Sequence, residues 1–112
     1  MARKLGVNAT QRIALIKNQA SALLWYGKIE TTEARAKEVR KFVEKMITYG
    51  KDGSLVSRRK ALAFFHNDND VVSKIFNDLA KKYETRNGGY TRIIKLNERR
   101  GDDALEVRLE LV

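Results

Sequence analysis

Basic side chains are the residues of this 112-residue chain whose types and spacing point to chemistry. Arg3 and Lys4 stand near the start, Lys37, Lys41 and Lys45 recur every fourth residue, and Arg58–Arg59 and Arg99–Arg100 form two adjacent pairs. A guanidinium presents a planar fork of donors that matches phosphate oxygens, and an ammonium presents a compact charge. Cations spread over several elements suit the surface of a folded polyanion better than a strand lying in one groove. The charge is also one-sided. Residues 1–60 hold 14 Lys and Arg against 5 Asp and Glu, whereas residues 61–112 hold 9 of each, so the net +9 lies in the first part of the chain. A field of one sign attracts polyanions, which makes nucleic acid the first candidate partner and an anionic membrane surface the second.

Other chemistries find little support. There is no cysteine, and His66 is the single histidine, so thiolate sites and histidine metal clusters are excluded, and no serine has the G-x-S-x-G context of a nucleophile. His66 reads as a helix-end residue. The "DND" at 68–70 opens like a calcium loop but lacks its glycine and closing glutamate, which leaves helix capping as its role. "GKDGS" at 50–54 lacks phosphate-loop spacing and reads as a turn. The chain is therefore expected to have no catalytic residues, no metal, no cofactor and no small-molecule substrate. No zinc finger, recognition-helix pattern or aromatic RNA-binding motif is present. Trp25, Tyr26, Phe42, Tyr49 and Phe64 could stack on bases, although helical aromatics more often fill a core. The N-terminus has no apolar leader, and no apolar run approaches the roughly 20 residues of a membrane span, so neither export nor insertion is expected.

The elements that must carry these cations are set by periodicity. With 43% hydrophobic and 33% charged residues, the composition is that of a folded domain with an ionised surface, and the length is that of one domain, 1–112, with a short basic extension at 1–7. Asn8 and Gln11 form a capping box for a helix over 9–26. "KIETT" at 28–32 alternates as a short strand, with Thr32 placed to cap the next helix. Ala36, Val39, Val43, Met46 and Ile47 fall in one arc of that second helix, from Glu33 to about Tyr49, with Gly50 as its stop and Lys37, Lys41 and Lys45 on the opposite side. Ser54 caps a third helix whose stripe is Leu55, Leu62 and Phe65. Arg58 falls on the same stripe, so either it snorkels to the edge or that face is shared with a partner. Val72, Ile75, Phe76, Leu79 and Tyr83 define a fourth, 70–84. Two alternating strands then flank the loop "NERRGDDA".

A lone hairpin is marginal in water, so its apolar face needs the helices over it. The expected fold is α+β, a two-layer α/β arrangement in the order α-β-α-α-α-β-β, with helices on one face of a small three-stranded mixed sheet. Between the fourth helix and the first hairpin strand lies "TRNGGYTRI". Gly88 and Gly89 would end the helix and turn the chain sharply into the central strand. Two readings stand side by side: the glycines only make the turn, or their amides also admit a phosphate, with Tyr90 as a wall and Arg92 as counterion.

The strings "RKLG", "IETTEARAKEVRKFVEKMITYGK", "RNGGYTRI", "RRGDDA" and the closing "ELV" occur in that order over nearly the whole chain. Together they resemble the bacterial large-subunit ribosomal protein family numbered seventeen. The resemblance implies a structural constituent of the cytoplasmic ribosome with no catalytic activity. It implies binding to large-subunit ribosomal RNA near the nascent-chain exit tunnel, beside neighbouring ribosomal proteins and away from any membrane. It further implies RNA contacts at Arg3 and Lys4, at Arg12, Lys37 and Arg40 on the helices, and at Arg92, Arg99 and Arg100 around the hairpin. Lys41, Arg58, Arg59, Gly88, Gly89 and Tyr90 complete the candidate RNA-binding set. Val7 stands where the family often has a second basic residue, and the hairpin loop lacks the Gly and Pro that usually flank the double arginine. On charge alone, the competing function is a basic architectural or regulatory DNA-binding domain.

Overall fold

The computed structural model describes residues 9–98 and 105–112. The capping role of Asn8, the extension at 1–7 and the sites at Arg3, Lys4, Arg99 and Arg100 lie outside those residues. α1 (Ala9–Tyr26) is followed by β1 (Lys28–Thr32), α2 (Glu33–Asp52) and α3 (Leu55–Phe64). α4 (Asn69–Ser73), a π-helical segment (Lys74–Leu79) and α5 (Ala80–Lys82) then run end to end, before β2 (Thr91–Glu98) and β3 (Leu105–Leu111). The protein is thus α+β. The caps are those the sequence supplies: Thr32 accepts from the Arg35 amide, Ser54 from the Ser57 amide, and Asp68 from the amides of Asp70 and Val71.

The sheet is antiparallel throughout, not mixed, and its order is β1-β3-β2. β1 and β2 run the same way but do not pair. β3 lies between them, with Leu109 opposite Ile29 on one side and Ile93 on the other. A mixed sheet would need β1 beside β2, and that would place at an edge the strand with the most completely buried face: Val107 and Leu109 are fully buried. β3, not β2, is therefore the central strand.

Helices cover the face that carries Val107 and Leu109. Leu23 and Leu24 of α1, Val39, Val43 and Ile47 of α2, Val72 of α4 and Ile75 of the π segment are fully buried with them. Each such side chain contributes about 1.5–3 kcal/mol relative to exposure. α3 departs from its expected stripe. Leu55 is exposed, and the helix seats itself through Ser57 and Ala61, with Leu62 and Phe65 further along. Small residues one turn apart let helices approach closely, which the Leu55 stripe would not. Arg58 lies over the Phe76 ring, its guanidinium carbon 5.2 Å from the centroid, so it covers the edge of the apolar face.

The second helix runs past Gly50 to Asp52, and its stop is Gly53, in the left-handed region at φ 69°, with its N–H donating to the Tyr49 carbonyl. Gly50 has another task. A Cβ there would lie 2.7 Å from Ile75 Cγ2 and 2.9 Å from the Ile75 carbonyl oxygen. That carbonyl accepts from the Ala80 amide, a five-residue bond that belongs to the wide π turn. Gly50 is thus where α2 and the π segment meet backbone to backbone.

Asp52 ties the end of α2 to the start of α3, because its Oδ2 accepts from Ser54 Oγ at 2.5 Å and Ser57 Oγ at 2.6 Å. The Ser54 and Ser57 hydrogen bonds hold its carboxyl below the ordinary aspartate value of 3.8. A folded pKa below the unfolded one adds stability above the unfolded pKa and loses it as pH falls through the folded pKa. Asp52→Asn should therefore lower the urea midpoint at neutral pH, and the gap from wild type should close in acid well below pH 3.8. Alanine normally stabilises a helix interior relative to glycine by about 1 kcal/mol. Gly50→Ala should do the reverse and cost about 1–3 kcal/mol by overpacking, read from the same urea curves. A stabilised variant would sink the close-approach assignment.

Candidate nucleic-acid interface

The outward side of α2 carries Lys37, Lys41 and Lys45, all exposed, one turn apart. Lys45 Nζ lies 5.9 Å from the centroid of Tyr49, and Lys60 Nζ of α3 lies 5.7 Å from the same ring. One half-buried tyrosine therefore joins the α2 row to the Arg58-Arg59-Lys60 run of α3. A second junction extends the surface toward α1: Phe42 stacks on Phe64 at 5.4 Å, and Lys17 Nζ sits 5.2 Å over Phe64. Cation–π contacts of this kind are worth about 0.5–1 kcal/mol at exposed sites, which biases where an ammonium sits while leaving its donors available.

Several predicted contacts already face carboxylates. Lys37 lies 3.7 Å from Glu33 and Arg40 4.0 Å from Glu44, both one turn apart on α2. Arg92 donates from Nε and Nη2 to one oxygen of Glu110, at 3.0 and 2.7 Å, across the β2–β3 pair. Arg12 pairs with Glu38 at 3.5 Å, and each of those two side chains is only 17% exposed. Exposed pairs of this type are worth about 0–1 kcal/mol, so a phosphate can compete for Lys37, Arg40 or Arg92. The Arg12–Glu38 pair is withdrawn from solvent and joins α1 to α2.

The glycine corner is built differently from a phosphate cradle. Gly88 and Gly89 have φ of 77° and 63°, so both need the left-handed region. They do not end a helix, because α5 stops at Lys82 and Tyr83–Thr85 turn before them. Nor do they lead into the central strand, since β2 is an edge. The Gly89 amide donates to Glu44 Oε1 at 3.1 Å, and Glu44 Oε2 accepts from the Thr91 amide at 3.0 Å and from Thr91 Oγ1 at 2.8 Å. A carboxylate from α2 thus occupies the donors that a phosphate would need. Tyr90 is buried, and its hydroxyl accepts from Lys51 at 3.0 Å. That bond draws the phenol below its usual pKa, against burial, which pushes it up. Lys51 also donates to the Arg86 carbonyl, and Arg86 Nε donates to the Gly89 carbonyl.

The described residues contain no cluster of three or more His, Cys, Asp or Glu able to hold a metal, and no helix among them is long and apolar enough to cross a membrane. The family model "Ribosomal protein L17" matches residues 15–112. The chain belongs to the ribosomal protein L17 family. Proteins called "Large ribosomal subunit protein bL17" from Fusobacterium nucleatum and Clostridium tetani are each 56% identical to it over 110 residues, 98% of this chain and 94% and 96% of theirs. That of Ligilactobacillus salivarius is 54% identical over 123 aligned positions, 98% of this chain and 97% of its own. The L17 family is a structural ribosomal component and not an enzyme.

In this L17 family member the candidates fall into groups. Lys37, Arg40, Lys41, Arg58 and Arg59 are on α2 and α3, Arg92 is on the outward face of the sheet, and Gly88, Gly89 and Tyr90 make the corner. Lys17 and Lys60 were missed. For Lys60 the signal was the unbroken Arg-Arg-Lys run; for Lys17 there was none, because its partner Phe64 is far along the chain. Glu44 was missed too, and Glu44→Ala leaves the amides of Gly89 and Thr91 without their acceptor. It should cost about 1–3 kcal/mol in urea unfolding. Its RNA affinity, measured where the variant is fully folded, should not fall, because the change removes a carboxylate and no phosphate donor.

Proposed function

We propose that the chain is a structural constituent of the bacterial large ribosomal subunit. As a single domain it binds large-subunit ribosomal RNA near the nascent-chain exit tunnel, in the cytoplasmic ribosome, and supports translation. The observation that carries the RNA-binding surface is the junction at Tyr49, where cations of α2 and α3 converge on one exposed side. Lys37, Lys41, Lys45, Arg59 and Lys60 supply phosphate donors there, with Arg40 and Arg58 at its margins. Arg3, Lys4, Arg99 and Arg100, which lie outside the described residues, are further phosphate donors by the family resemblance. Arg92 exchanges Glu110 for a phosphate when RNA docks. Arg12 joins α1 to α2 through Glu38, and Gly88, Gly89 and Tyr90 shape the corner without holding phosphate themselves. Neighbouring ribosomal proteins complete the surroundings.

The reading is supported by family membership together with the charge of residues 1–60. A DNA-binding role rests on charge alone, and no element of the fold favours it. Each neutralised phosphate releases counterion, so the logarithm of RNA affinity should fall with the logarithm of salt by roughly 0.7–0.9 per contact. Replacing Lys41, Lys45 and Lys60 together by alanine should reduce that slope by about 2–3 and weaken binding of large-subunit RNA at low salt. The melting temperature should shift little, because none of the three is buried. In gradient sedimentation of cell extract the wild-type chain should travel with large subunits through a moderate salt wash. An unchanged slope in the triple variant would remove the α2–α3 surface from the account.

A further inference from the structure

We propose that the trough around Trp25 docks a basic polypeptide segment, an arginine- or lysine-rich stretch of a neighbouring protein. This extends the ribosomal reading and rests on it only in placing that neighbour within the same particle. Two hollows of about 320 and 400 Å³ share Trp25 and Asp70, so they form one continuous depression between the end of α1 and the α4–π run. Its apolar walls are aromatic: Trp25 is 46% exposed and Tyr26 75% exposed. Large rings left open at the end of a helix, beside a concavity, mark an interaction surface better than scattered exposed side chains do.

The chemistry of the trough selects the occupant. Asp68, Asp70 and Asp78 line it, and Lys74 is its one lining cation. Asp68 spends one carboxylate oxygen capping α4, whereas the exposed carboxylates of Asp70 and Asp78 have no ion-pair partner within 4.0 Å among the described residues. Lys74 shows how the site receives a cation: its Nζ lies 5.2 Å over the Trp25 ring and donates to the Trp25 carbonyl. An incoming guanidinium can stack on the remaining aromatic surface and fork onto a carboxylate, the combination for which arginine is suited. RNA is disfavoured, because its phosphates would face unpaired carboxylates. A second copy is disfavoured by the net +9 that each chain carries. None of the lining residues belongs to the candidate RNA-binding surface, so the two surfaces can be tested apart.

Trp25 is the single tryptophan, so its fluorescence reports the trough directly. The 112-residue protein would be titrated with a short peptide alternating arginine and glycine, with its glutamate counterpart, and with single-stranded RNA of matched length. A saturable change with the arginine peptide, absent with the glutamate peptide, is expected. Asp70→Asn combined with Asp78→Asn should weaken it by about tenfold while leaving large-subunit RNA affinity and melting temperature unchanged. The proposal is overturned if the arginine peptide gives no saturable change, or if the double variant responds as wild type does. It is equally overturned if RNA produces the Trp25 response, or if that response tracks protein concentration alone with a dimer in sedimentation. Loss of ribosomal RNA binding with an intact peptide response would instead strike at the proposed function and leave the trough standing.

Discussion

The close approach of Gly50 to Ile75 lets α2 lie directly on the backbone of the helical run behind it, and the core is built around that contact. With no Cβ at position 50, the two helices touch through main chain, and the π turn brings the Ile75 carbonyl to the contact. This seats Val39, Val43 and Ile47 against the layer formed by Val72 and Ile75, with Val107 and Leu109 of the sheet closing the core. Once α2 is placed, the face on which each of its other residues lies is set with it. Glu44 reaches the glycine corner, Lys51 reaches Tyr90, and the lysine row is left facing water.

The glycine corner shows how one donor array can suit two anions and be given to the one inside the protein. Amides presented by left-handed glycines are a general device for binding phosphate. Here the Glu44 carboxylate takes the Gly89 and Thr91 amides and the Thr91 hydroxyl, so β2 is anchored to α2 before any partner arrives. Because β2 is an edge strand, an anchor at its first residues stabilises pairing with β3 that the helices alone cover incompletely.

The cations divide along similar lines. Arg12 pairs with the half-buried Glu38 between α1 and α2, and Lys51 is spent on Tyr90 and the Arg86 carbonyl. Others rest on aromatic rings, which orient an ammonium without neutralising it: Lys17 on Phe64, Lys45 and Lys60 on Tyr49, and Lys74 on Trp25. Lys41 and Arg59 stand clear. The same +9 chain therefore presents a positive surface on α2 and α3 and an acidic, aromatic trough beside Trp25, a contrast that net charge conceals.

Periodicity and capping are local, so the spans of α1 and β1, the caps at Thr32, Ser54 and Asp68 and the buried arc of α2 could be read from neighbouring residues alone. The end of α2 could not, since Gly50 looks like a stop until Ile75 is seen against it, and the left-handed stop is Gly53. Strand order was hidden for the same reason. Alternation tells which face of β3 is buried, but not that β3 lies in the middle, where it pairs antiparallel on both sides. By itself the sequence determined the family, where helices and strands fall along the chain and the sign of the charge, because each depends on residue type and short spacing; it did not show the π turn at Lys74–Leu79 or the buried face of α3. Only the tertiary structure decided which amides met Glu44, which cations met carboxylates and which met rings, because such partners lie tens of residues apart and are chosen by how α2 packs.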